Sequence, residues 1–214
     1  IIRTLNGDIS AHQLGVTYSH DHIYCIPPYW AERQDDDLLL DDPQASEREL
    51  SDFREAGGRA IYDATAPDYG RQAAAVAAMA QRQQLHIIAT AGFNKGFLWS
   101  SKRPGSAQTF AEWIEHSEID ELVEHVCREV TEGIEGTAHR AGVVKCGTGY
   151  NTISPLEEKT MEVIVRAQQR TGAPMHSHTE MGTMGLEQAR IFKKWGLDLS
   201  RLCFAPMDRT PDPW

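Results

Sequence analysis

The chain has 214 residues, with 21 Lys and Arg against 31 Asp and Glu, a net charge of −10. Such an acidic chain is repelled by phosphate backbones, which disfavours broad nucleic-acid binding. Its 41% hydrophobic content supplies a buried core and excludes a disordered chain, and no apolar run approaches the ~18–20 residues of a membrane span.

The first residues, Ile1 to Gly7, do not read as a signal peptide, and Asn6-Gly7 is a hairpin-turn pair. The chain does not open on Met, so its start reads as processed or preceded by further residues. Cys25, Cys127, Cys146 and Cys203 have no C-x-x-C spacing. That argues against both a disulfide scaffold and a Cys-rich zinc site, and leads us to expect reduced thiols in a cytoplasmic protein.

Six runs read as strands: 16–23, 59–65, 86–91, 141–147, 174–178 and 201–207. Ile61, Ile87-Ile88 and Val143-Val144 lie in runs apolar on both faces, as in buried parallel strands. Between them lie helical runs. Residues 71–84 are Ala-rich. Ser117 is placed as a cap before Ile119, Leu122, Val123, Val126 and Val130, one apolar stripe at helical spacing. Ser154-Pro155 starts a helix that stops near Gly172, and a last helix over about 186–195 ends at Gly196. Alternating strands and helices imply one α/β domain, 1–214, built on a parallel sheet. Neither G-x-G-x-x-G after the first strand nor G-x-x-x-x-G-K-[ST] occurs, so the usual nucleotide-binding readings lose support. A (β/α)₈ barrel usually takes ~250 residues and carries its chemistry at the C-terminal strand ends; six strands are counted here.

Ser19-His20-Asp21-His22 ends the first strand run. Residues i and i+2 of a strand face the same way, so His20 and His22 project together, either as metal ligands or as two polar residues at a strand end. His176-Ser177-His178 repeats the pattern in the fifth run, and two such pairs favour a shared metal. Lys145 lies in an apolar strand, where an ammonium is costly. Either it pairs with a carboxylate, or CO₂ adds to the neutral amine to give an anionic carbamate.

The chain resembles the phosphotriesterase family of the amidohydrolase superfamily. The resemblance runs in order through Arg3–Ile9 with Leu14–Thr17, Ser19–His22, Gly57–Thr65 with Gly70-Arg71, Ala89–Phe93, Arg140–Lys145 and Thr171–Thr179. It implies a (β/α)₈ TIM barrel binding two divalent metals, commonly zinc. His20 and His22 would hold the first metal, carboxylated Lys145 would bridge both, and His178 would bind the second. A metal-bound hydroxide would then attack a lactone, carboxylic ester or phosphotriester, with small esters or lactones as substrates and no nucleic-acid or membrane partner. Relatives are often homodimers.

Two family ligands are not found. Pro206 stands where the sixth strand should carry a histidine, and no histidine follows His178. His176 either compensates or lies a layer deeper, hydrogen-bonding within the barrel; Asp208 is a second candidate. The family's last ligand and proton acceptor, an aspartate ending strand eight, has no counterpart before Trp214. The closing Pro211-Asp212-Pro213-Trp214 reads as an interrupted loop, so a piece of a longer chain is expected. The alternative function is a non-catalytic or mononuclear relative with a degenerate site.

Phe93 and Trp99 after the third strand either line a substrate pocket or serve an ordinary loop. Asp63 reads as a structural hydrogen-bonding residue. Cys146 should face away from Lys145. His12, His86, His116, His125 and His139 fall outside ligand-like spacing, and Asp35-Asp36-Asp37 reads as a solvated acidic run without EF-hand spacing.

Overall fold

A computed structural model of the chain describes residues 1–34, 39–207 and 209. The acidic run at 35–37, Asp208 and the closing 211–214 segment therefore lie outside the described residues.

The chain begins with a hairpin. Strands β1 (Ile2–Thr4) and β2 (Gly7–Ile9) pair antiparallel, with Thr4 opposite Gly7. Gly7 has φ +120°, a backbone setting that side chains resist, which is why the turn takes glycine. Then come β3 (Val16–Asp21), α1 (Trp30–Arg33), α2 (Pro43–Glu55), β4 (Gly58–Asp63), α3 (Ala73–Gln83), β5 (His86–Ile88) and β6 (Thr90–Gly92). After them are α4 (Phe110–His116), α5 (Ile119–Thr131), β7 (Val143–Thr148), α6 (Pro155–Thr171), β8 (Met175–Thr179), α7 (Gly185–Lys194) and β9 (Leu202–Ala205).

All six expected strands are present, β3, β4, β5 with β6, β7, β8 and β9. The third run breaks at Ala89, whose carbonyl accepts from the N–H groups of Gly142 and Val143. Helix α6 has its cap as read: Ser154 Oγ accepts from Glu157 N, Glu157 reaches back to Ser154 N, and Gly172 closes the helix at φ 72°. The Ser117 cap is corrected. Ser117 ends α4, and the carbonyl of Glu118 accepts the first bond of α5, from Leu122 N. Helices α2 and α4 were not anticipated. Asp42 caps α2 by accepting from Gln44 N and Ala45 N, and Thr109 with Glu112 forms a capping box on α4.

The chain divides into two compact units, 1–91 with 128–143, and 92–127 with 144–214. In the first, β3, β4 and β5 form a parallel sheet in that order, with Tyr18 opposite Ile61 and Ile61 opposite Ile87. Ile61 and Ile87 are buried, as their two-faced apolar runs require. Among the described residues β3 lies at one end of this strand order, with Val16 and Tyr18 exposed. In the second unit β7, β8 and β9 pair in parallel, with Lys145 opposite His176 opposite Cys203, and Gly147 opposite His178 opposite Ala205. Parallel strands fed by helical crossovers bring successive C-terminal strand ends to one edge of each sheet. No helix among the described residues is long and apolar enough to cross a membrane.

Candidate metal centre

In the first unit, His20 and His22 come together at the C-terminal end of β3. Their ring centroids are 5.7 Å apart and nearly perpendicular. His22 stacks on Tyr69 at 5.3 Å, and His20 meets Tyr62 edge-on at 6.1 Å. Nδ1 of His22 lies 2.9 Å from Thr65 Oγ1, and Thr65 donates to Asp63 Oδ1 from both its hydroxyl, at 2.5 Å, and its backbone N–H, at 3.1 Å. Asp63 is thus the hydrogen-bonding residue its strand position suggested. Between the two histidines, burial pushes the Asp21 carboxyl above its ordinary value, against the lowering effect of the His22 N–H bonded to it.

In the second unit, Lys145 and His176 sit side by side on β7 and β8, both almost wholly buried. His178 lies one pleat further on, opposite Gly147. A Cβ on Gly147 would stand 2.6 Å from the Cβ of His178 and 2.7 Å from Asn94 O, so the histidine is placed only because position 147 carries no side chain. Gly92 has the same function on the other flank. There, at φ +110°, a Cβ would meet Lys145 O at 2.4 Å, where Phe93 N–H donates to that carbonyl.

Nε2 of His178 lies 2.9 Å from Glu180 Oε2 and 3.3 Å from Lys95 Nζ, and Lys95 in turn donates to Glu180. Burial pushes His178 down to about 4, although the Glu180 hydrogen bond pulls the other way. The imidazole is therefore neutral at neutral pH. Hydrogen bonding from His178 and then from Lys95 holds Glu180 down at about 2. Nε2 of His178 thus faces an acceptor in Glu180 and a donor in Lys95.

Phe93 is buried, packed against Trp99 and Trp113 at ring distances of 6.3 and 5.7 Å. A cavity of about 540 Å³ is lined by Phe97, Trp99, Tyr150, Leu156 and Glu180 among others, and Phe93 is not among its lining residues. Trp99 thus reaches the cavity wall. Pro206 offers no donor side chain, and its carbonyl accepts from Thr179 Oγ1 at 2.8 Å. Cys146 faces away from Lys145 toward Ser177, 3.6 Å off. His139 bonds Leu5 O, and His125 packs edge-on to Trp113.

Sequence reasoning passed over Thr65, Glu180, Lys95 and Gly147. Two of them carried a signal: Thr65 lies two residues after Asp63 and Glu180 two after His178, the same-face spacing used for the histidine pairs. As a donor set for divalent metal, each unit fits in part. The first supplies two adjacent imidazoles. The second supplies a neutral imidazole and a buried lysine. Among the described residues no three His, Cys, Asp or Glu side chains gather closely enough to hold a metal ion.

Parallel strand–helix repeats that carry histidine pairs at strand ends make up an α/β scaffold with its polar residues at the C-terminal strand ends. The sequence profile of the phosphotriesterase family matches residues 1–213, and the chain belongs to that family. Its fold is accordingly an α/β, (β/α)₈ barrel fold, with six of the strands inside the described residues. The crystal structure of the lactonase Lmo2620 from Listeria monocytogenes is 51% identical and superposes with a TM-score of 0.95, over 99% of this chain and 67% of that one. The phosphotriesterase homology protein of Escherichia coli, solved with phosphate in its active site, is 27% identical with a TM-score of 0.82, over 92% of this chain and 63% of that one. A phospho-furanose lactonase of Mycoplasmopsis agalactiae is 28% identical over 99% of this chain and 61% of its own length. The chain thus spans about three fifths of that curated relative.

Proposed function

We propose that the chain belongs to a metal-dependent lactonase acting on small lactones, phosphorylated sugar lactones foremost among them. The observation that carries this reading is the repeated His-x-His at the ends of β3 and β8, in a chain of the phosphotriesterase family. His20 and His22 are the ligands proposed for one divalent ion and His178 for a second. Lys145, as its carbamate, supplies an anionic oxygen ligand, and zinc is the metal proposed. When bound, such ions polarise the scissile carbonyl and lower the pKa of water toward neutrality.

The chain's own residues do the rest. Burial keeps His178 neutral and therefore able to ligate. Lys145 is almost wholly buried on β7 beside His176, where a carbamate on its amine would place anionic oxygens within the same strand-end cluster. The aromatic cavity bounded by Phe97, Trp99 and Tyr150 suits the ring of a substrate, with Phe93 supporting Trp99 from behind. The phosphorylated class is favoured because one relative is named a phospho-furanose lactonase and another holds phosphate in its active site.

The test is zinc content and lactone turnover measured together on the wild-type protein and the His20→Ala and Lys145→Ala variants. Both variants are expected to lose metal and activity in step. A Lys145→Ala protein that hydrolyses a furanose lactone phosphate at the wild-type rate without metal would sink the reading.

A further inference from the structure

The hydroxyl of Thr65 stands between a histidine and a carboxylate, and it has a single hydrogen to give. We infer that Asp63 and Thr65 form a relay that fixes His22 in the Nδ1–H tautomer, so that Nε2 is the nitrogen offered to a metal. The inference deepens the proposed function, because it rests on His22 being a ligand.

The argument is one of hydrogen counting. Asp63 and Thr65 are both buried, at 4% and 1% exposure, so water does not compete freely for their bonds. A carboxylate only accepts. Asp63 Oδ1 receives the backbone N–H of Thr65 at 3.1 Å and its hydroxyl at 2.5 Å. With its hydrogen committed to Asp63, Thr65 Oγ1 can meet His22 Nδ1, 2.9 Å away, only as an acceptor. Nδ1 must then carry a hydrogen. A neutral imidazole has one N–H, so the lone pair falls on Nε2.

The surroundings hold this arrangement in place. Tyr69 stacks on the His22 ring with the planes 21° apart, which sets the ring's orientation. Thr90 Oγ1 bonds the carbonyl of Asp63 at 2.9 Å and so anchors the far end of the relay. Asp63 and Thr65 make these bonds as positioning residues. An outer partner of this kind sets both tautomer and basicity in metal-ligating histidines.

Two measurements separate the relay from the metal reading. The first is nitrogen-15 NMR of the histidine rings in protein stripped of metal, at a pH well above the ordinary histidine value of about 6.5. In the wild type, His22 is expected to show a protonated Nδ1 and a bare Nε2. Thr65→Val keeps the side-chain shape and deletes the hydroxyl, and there the proton is expected to move toward Nε2. Thr65→Ser should retain the wild-type pattern, which general damage to the fold would not allow. The second measurement is zinc affinity against a competing chelator, expected to weaken roughly 10–100-fold in Thr65→Val and to recover in Thr65→Ser. A wild-type His22 protonated on Nε2, or an unchanged pattern in Thr65→Val, overturns the relay. A tautomer that switches while zinc affinity stays constant overturns the ligand role of His22, and with it the purpose assigned to the relay.

Discussion

Arg71 grips Glu129 with both ends of its guanidinium, Nη1 to Oε2 at 3.0 Å and Nη2 to Oε1 at 2.6 Å. Both side chains are buried, and Nη2 also reaches the half-exposed Glu135 at 2.9 Å. Burial alone would lower the Arg71 pKa, but the two carboxylates outweigh it and push it up. Removing one partner from such a pair strands a buried charge. Arg71→Met is expected to cost about 3–5 kcal/mol. Glu129→Gln should cost about 1–3 kcal/mol, and Glu135→Gln less than about 1 kcal/mol because that carboxylate is solvated. Urea denaturation of the three variants checks the order, and an equal loss in all three would contradict it.

Gln188 of α7 is a second buried tie, at 0% exposure. Its Nε2 donates to Thr148 Oγ1 at 2.7 Å and to the backbone carbonyl of His178 at 3.0 Å, while its Oε1 accepts from Ser177. One amide thus fixes the ends of β7 and β8. Gln188→Leu fills similar space but leaves three polar partners unsatisfied. A loss of about 1–3 kcal/mol is expected, with hydrogen exchange at residues 177–179 rising more than in β4. Unchanged exchange at 177–179 would show that the amide does not hold the strand end.

Most of the fold was legible because its elements announce themselves locally. Strand runs such as 86–91 are short and apolar, and Asn6-Gly7, Ser154-Pro155 and Gly172 are strong punctuation. Helices α2 and α4 were missed although Asp42-Pro43 and Thr109-x-x-Glu112 mark their starts, because α4 is short and α2 buries few residues. Ser117 misled because serine suits either end of a helix, and the choice is made by backbone bonds. In the candidate site, histidines and a strand lysine stand out by type. Thr65, Gln188 and Glu180 do not, because their roles come from which hydrogen points where.

Glu47 on α2 gives a pH dependence with a definite sign. Hydrogen bonds from Arg82, at 2.7 and 2.8 Å, and then from Gln83 hold its carboxyl down at about 2 from an ordinary 4.5. A depressed carboxyl stabilises the fold above its unfolded pKa, and that contribution is lost as pH falls through the folded value. Wild-type melting temperature should therefore fall more steeply than that of Glu47→Gln between about pH 4.5 and pH 2. The pair is solvent-exposed, so high salt should shrink the difference. Parallel curves for the two proteins at low salt would show that the α2–α3 ion pair contributes nothing.

The four cysteines should separate by reactivity. Cys25, Cys127 and Cys146 are buried and Cys203 is exposed on β9. Burial pushes the thiols of Cys25 and Cys146 up to about 12, the charge of Asp63 adding to the effect at Cys25, while Ser177 partly opposes it at Cys146. Burial raises Cys127 as well. The thiolate is the reactive form, so a maleimide at neutral pH is expected to label Cys203 quickly and the other three only after denaturation. Peptide mass spectrometry of briefly labelled native protein reads this directly. Rapid native labelling of Cys146 would mean that the β7–β8 pairing around Ser177, which carries Lys145 and His178, opens in the native protein.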